Sequence, residues 1–141
     1  MENQHLFDQL GKISVEIPEI STPLLCKIEI LNNCPADLQV YLYGACEFVY
    51  QDGSTYTHNR LNRVYRQGKI LWQSNSNTNC VRRVNIAIIA KSDIYPGAGN
   101  YSLVDEVSKD ECIIERGWSF GALNRRIDDK EILSSFELKV M

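Results

Sequence analysis

The residues of this 141-residue chain best equipped for chemistry are His5 and His58, five cysteines, and arginines grouped as Arg60, Arg63 and Arg66 and as the doublets Arg82-Arg83 and Arg125-Arg126. Nucleophilic catalysis needs a base held beside an activated Ser, Cys or Thr. His5 lies in an N-terminal stretch that can fray, so a triad would have to rest on His58, and no nucleophile-elbow context accompanies it. The carboxylate pairs Asp105-Glu106 and Asp128-Asp129 are adjacent in sequence. Neighbours of that kind face opposite sides of a strand or stand in solvent at a turn. The chain is therefore expected not to be an enzyme, no catalytic residue is assigned, and His58 reads as a surface or hydrogen-bonding residue.

Cys26, Cys34, Cys46, Cys80 and Cys112 contain no close pair at metal-ligand spacing and no complete disulfide framework. They are expected to be reduced and packed as small apolar side chains. Asp52, Asp93 and Asp105 fall where loop tips are expected, but no spacing gathers the several oxygens that calcium takes. Pro96-Gly97-Ala98-Gly99-Asn100 lacks the lysine, hydroxyl residue and helix of a phosphate loop and reads as a turn. Neither a metal nor a cofactor is expected. A net charge of -3 supplies no dense basic face, which argues against a nucleic-acid partner.

Arginine forks grip phosphate bidentately, so the arginine groups are candidates for holding a lipid headgroup, sulfate or RNA. The aromatic residues give a stronger signal. Amphipathic rings are favoured where one end is apolar and the other wet, as at membrane headgroups or sugar faces. In Gly117-Trp118-Ser119-Phe120-Gly121-Ala122-Leu123-Asn124 large rings alternate with small residues, and Trp118 and Phe120 share one parity on an extended segment. Tyr95 stands beside Pro96. Tyr95, Trp118, Phe120, Arg125 and Arg126 are the candidate lipid- or ligand-binding residues, whereas Trp72 and Tyr101 sit in strand-like contexts and are expected to be packed.

The elements that must position these residues are strands. Apolar residues alternate at Ile13, Val15, Ile17, at Cys26, Ile28, Ile30 and at Leu38, Val40, Leu42. Further strands are expected at 45–50, 61–73, 82–90, 100–105, 111–116 and 132–140, with turn chemistry at 32–37, 51–54 and 74–79. One weak helical segment falls at 3–10. The pattern predicts an all-β protein, an antiparallel β-sandwich with a short N-terminal helical or extended arm. Residues 1–24 form the arm and an edge strand, and residues 25–141 form the sandwich, a single globular domain overall. The terminal runs 13–17 and 134–140 are the candidate sheet edges.

No run approaches the roughly 20 apolar residues needed to span a bilayer, and the first residues lack the basic start and apolar stretch of a secretory signal. The expectation is a soluble chain, cytoplasmic on synthesis, with release to a target membrane surface left open.

Lys27-Ile28-Glu29-Ile30-Leu31-Asn32-Asn33, Ala90-Lys91-Ser92-Asp93, Gly97-Ala98-Gly99-Asn100-Tyr101-Ser102-Leu103 and the patch Gly117 to Asn124 together resemble the aegerolysin family over residues 25–125. The resemblance implies a small β-sandwich that recognises membrane lipids and acts with a larger pore-forming partner. The first functional expectation is thus a non-enzymatic lipid-binding sandwich, one component of a two-part pore-forming or toxin system. Trp118, Phe120 and Tyr95 would insert shallowly while Arg125 and Arg126 hold headgroup phosphate. The same pattern also fits a protein-interaction or homo-oligomeric assembly module built on an exposed edge strand, or a lectin-like module that binds glycans.

Overall fold

The computed structural model describes residues 13–34, 41–64, 68–91, 100–108, 111–114 and 118–140, with side chains described over 13–34, 45–58, 69–87 and 121–139. Ten strands run in order: β1 (Ile13–Glu16), β2 (Leu25–Asn32), β3 (Tyr41–Tyr50), β4 (Thr55–Val64), β5 (Gly68–Gln73), β6 (Val81–Lys91), β7 (Asn100–Ser108), β8 (Glu111–Ile114), β9 (Trp118–Ile127) and β10 (Glu131–Val140). No helix occurs among the described residues, so none there is long and apolar enough to cross a membrane. The helical segment expected at 3–10 lies outside them.

Period-two patterning decides which side of each strand is buried. In β2, Cys26, Ile28, Ile30 and Asn32 are buried while Leu25, Lys27, Glu29 and Leu31 are half-buried. In β5, buried Ile70 and Trp72 alternate with exposed Lys69, Leu71 and Gln73. One sheet carries β4, β3 and β6 in that order, with β1 and β7 sharing the far edge of β6: β1 lies along 83–86 and β7 along 89–91. From there β7 crosses to the second sheet, ordered β7-β8-β9-β10-β2-β5. The two sheets pack as the expected sandwich. Ile13, Val15, Phe48, Tyr50, Val84 and Ile86 from the first meet Ile28, Ile30, Trp72, Phe136 and Leu138 from the second in one apolar core.

The pairings are antiparallel with one exception, β10 against β2, which run parallel from Glu131↔Leu25 to Leu138↔Asn32. Parallel neighbours need a long crossover. Here most of the chain lies between the two strands, and no local pattern announces their meeting.

Several boundaries differ from the expected ones. Residues 41–42 of the run expected at 38–42 share one strand, β3, with 45–50, because Gly44 is absorbed at a register shift against β4 and does not break the ladder, while 38–40 lie outside the described residues. The single strand expected over 61–73 is two, β4 and β5. The aromatic patch expected over 117–124 falls, from Trp118 on, in the ten-residue strand β9, which continues to Ile127. Its small residues are no obstacle where ladders hold the backbone, on both sides over 118–121 and on the β10 side beyond. The run 134–140, a candidate edge, belongs to β10 and is central, flanked by β9 and β2. The other candidate edge, at 13–17, contributes β1, which pairs with β6 alone among the described residues.

Candidate binding edge

A β-sheet edge exposes unpaired N–H and C=O groups, and natural proteins shorten, cover or charge such edges. Three of the edges here are managed in that way. β1 is four residues long. β4 and β5, at the two ends of the strand order, lie against each other through His58: the Gln73 N–H donates to His58 Nδ1 at 3.1 Å, and the Gln73 carbonyl lies 3.2 Å from the same nitrogen. His58 is thus a hydrogen-bonding residue, as its context suggested.

Among the described residues β9 is covered over only part of its length: β8 pairs with it from Ile114↔Trp118 to Glu111↔Gly121. Beyond Gly121 the strand pairs with β10 alone among the described residues, and every residue over 122–127 is exposed. Leu123 is 51% exposed and Ile127 48%, so two of the three exposed large hydrophobics among the described residues stand on this stretch of edge. Between Ala122, opposite Phe136, and Asn124, opposite Ser135, Leu123 is the additional residue of a bulge. Bulges re-aim side chains near sheet edges.

The ladder also fixes the two arginines. Arg125 stands opposite Ser134, which is buried on the core side, and its Nε donates to Ser134 Oγ at 3.3 Å. Its charge reaches Cys26, where burial pushes the thiol up to about 12 and Arg125 opposes part of that rise. Arg126 stands opposite half-buried Leu133 on the outer face and makes no ion pair among the described residues. Adjacent in sequence, the two arginines stand at ladder positions on opposite faces of the strand.

Next along the chain, Asp128 closes the turn into β10. Its Oδ1 accepts the N–H groups of Lys130 and Glu131, both at 2.8 Å, and these bonds hold its carboxyl below the ordinary value. Asp52 plays the same part in the β3–β4 turn, accepting the Ser54 hydroxyl and N–H while Gly53 adopts φ +87°.

Of the other candidate residues, Tyr95 lies outside the described residues. Trp118 and Phe120 are strand positions opposite Val140 and Leu138, and their side chains lie outside the described residues. The ladder therefore brings Arg125 and Arg126 onto the open stretch with Leu123 and Ile127. Those two were missed because an aromatic pattern drew attention to the residues before them, although Leu123 and Ile127 flank the arginine doublet in the sequence.

Two shallow depressions lie elsewhere. One of about 340 Å³ is lined by residues including Glu16, Glu19 and Arg82, and one of about 490 Å³ by Ser76, Asn77 and Thr78. Among the described residues, no three His, Cys, Asp or Glu side chains gather in a metal-holding arrangement. Cys26, Cys34, Cys46 and Cys80 are free and buried. Comparison with protein-family models, with curated proteins and with solved structures finds no match.

Proposed function

We propose that this chain is a non-catalytic recognition and assembly module that binds an extended partner strand along the open edge of β9. The observation that carries this reading is the combination at 122–127 of a ladder that, among the described residues, is paired on the β10 side alone with Leu123 and Ile127 exposed. Strand addition draws affinity from main-chain hydrogen bonds and specificity from alternate side chains, and an edge of this kind supplies both. The test is an NMR titration with an eight-residue peptide of alternating Val and Thr. It is expected to slow amide exchange over 122–127 in the native protein and to lose that effect in a Leu123→Lys/Ile127→Lys variant. No change at those amides overturns the reading.

The exposed Leu123 and Ile127 beside Arg126 also favour a second reading, contact with a membrane surface. Apolar side chains then enter the headgroup layer and a guanidinium meets phosphate. This keeps the lipid-binding expectation and any pore-forming partner, but shifts the inserted residues along β9. Co-sedimentation with neutral, anionic, sphingolipid and sterol vesicles tests it. Composition-selective binding that the two lysine substitutions abolish supports the membrane reading, and failure on every mixture rejects it.

A further inference from the structure

We infer that the outer face of the first sheet carries a binding site for an alkylammonium group at Glu47, separate from the β9 edge. The ladders line up a row of polar side chains across four strands: Ser14 of β1 opposite Asn85 of β6, Asn85 opposite Glu47 of β3, and Glu47 opposite Thr57 of β4. Their chain neighbours Val15, Ile86 and Phe48 belong to the core, so the row lies on the outer face. Within it the Ser14 hydroxyl donates to Asn85 Oδ1 at 2.8 Å, and Asn85 Nδ2 donates to Glu47 Oε1 at 2.7 Å. Asn85 is only 5% exposed, and with both ends of its amide bonded it is a fixed donor that aims the Glu47 carboxylate.

What sets Glu47 apart is its uncompensated charge. The other strand carboxylates with described side chains each have a cation beside them: Arg83 at 2.8 Å from Glu16, Lys69 at 3.3 Å from Glu29, Lys27 at 2.7 Å from Glu131 and Lys139 at 3.7 Å from Glu137. A bond from a neutral amide leaves the charge of Glu47 in place, and no lysine or arginine pairs with it among the described residues. Its diagonal neighbour Arg83, opposite Val49, is turned instead to Glu16, to which its Nε donates. Glu47 is half-buried on β3, between β4 and β6, where a lone carboxylate loses hydration without gaining a counter-charge. A cation from outside the chain supplies one.

The surroundings select the kind of cation. On one side of the row Ala45 and Ala87 are fully buried, so the approach is from the other side, where Val49 and Thr57 are half-buried and Thr55 is exposed. Asn85 already holds Oε1, which disfavours the two-oxygen fork of a guanidinium. An ammonium takes separate acceptors for its N–H groups. Glu47 Oε2 and the hydroxyl residues Thr57 and Thr55 stand on one face to offer them, with Val49, opposite Thr55, as the surface for an alkyl stem.

The experiment titrates the native protein at constant ionic strength with n-butylammonium, and with tetramethylammonium as a cation that has no N–H donors, following the side-chain amide resonances of Asn85 and the backbone amide of Thr57. Butylammonium is expected to shift both saturably at millimolar concentration. Glu47→Gln, which keeps an oxygen for Asn85 and removes the charge, is expected to weaken binding about tenfold. Thr57→Val is expected to weaken it by a smaller factor, and keeps the test decisive should the glutamine variant fail to fold. A free amine and a lysine side chain of a partner protein share this chemistry: tighter binding of acetyl-Val-Lys-Val-amide than of butylammonium assigns the protein source, and equal binding the free amine. No saturable shift at Asn85, an equal response to tetramethylammonium, or undiminished binding by either folded variant overturns the inference.

Discussion

His58 and Gln73 join the two ends of the strand order: the Gln73 N–H donates to His58 Nδ1 at 3.1 Å, so β4 and β5 cover each other's margins. Replacing His58 with Ala removes an acceptor and is expected to cost about 1 kcal/mol in denaturant unfolding, with faster exchange of the Gln73 amide. An unchanged Gln73 amide would show that the two edges are held by something else.

Trp72 is fully buried, and its indole Nε1 has no hydrogen-bond partner among the described residues. Trp72→Ala is expected to destabilise the fold by about 3–5 kcal/mol through lost burial and a cavity. Trp72→Phe is expected to cost clearly less, because a six-membered ring still fills most of the site while the unsatisfied donor is removed in both variants. Urea unfolding of the two variants measures the contribution of the ring. Equal costs would mean that the volume of the ring does not set the loss.

Burial pushes the Cys26 thiol up to about 12 and Cys34 up to about 11, and holds Cys46 well above its ordinary value of 9.0. Because the folded values are raised, the folded state keeps protons that the unfolded chain releases. Stability from these thiols is therefore full below about pH 9 and falls as pH rises toward 11 to 12. A denaturation series across that window is expected to show the decline. Near pH 8 these three thiols should resist a thiol reagent until the protein unfolds; rapid labelling of the native protein would contradict their burial.

The arginine doublet separates by function. Arg125→Ala removes the donor to buried Ser134 and is expected to lower stability by about 1 kcal/mol, whereas Arg126→Ala stays within about 0.5 kcal/mol. Thermal unfolding of both variants checks this. Equal effects would mean that the two side chains are not divided between faces.

Much of the sandwich was legible in the sequence, because a half-buried strand writes its faces as alternation: Ile13 and Val15 in β1, and Cys26, Ile28 and Ile30 in β2, are buried as the period required. The packing of Trp72 followed from the same pattern. What alternation could not convey was pairing between distant strands. The parallel union of β2 with β10 depends on residues about a hundred positions apart, and it turned the expected C-terminal edge into the middle of a sheet. The open edge was hidden for a related reason. Among the described residues β8 faces β9 only as far as Gly121, and no residue on β9 announces where that pairing lies. Arg125 and Arg126 were visible as a doublet, but only the ladder divides them between faces.

Leu123→Lys and Ile127→Lys replace exposed side chains and are each expected to change stability by less than about 0.5 kcal/mol. A thermal melt of each variant is the check. A drop well beyond that would place these residues in the packing of the sandwich and remove them from the proposed contact surface.

Residue-resolved amide exchange of the isolated protein tests the central claim most directly, because it reads whether the β9 edge is free. The expected result is alternation over 124–127: amides bonded to β10 exchange slowly, and those facing away exchange at nearly unprotected rates. Uniform protection of all these amides would mean that the edge is already covered, and would contradict the account.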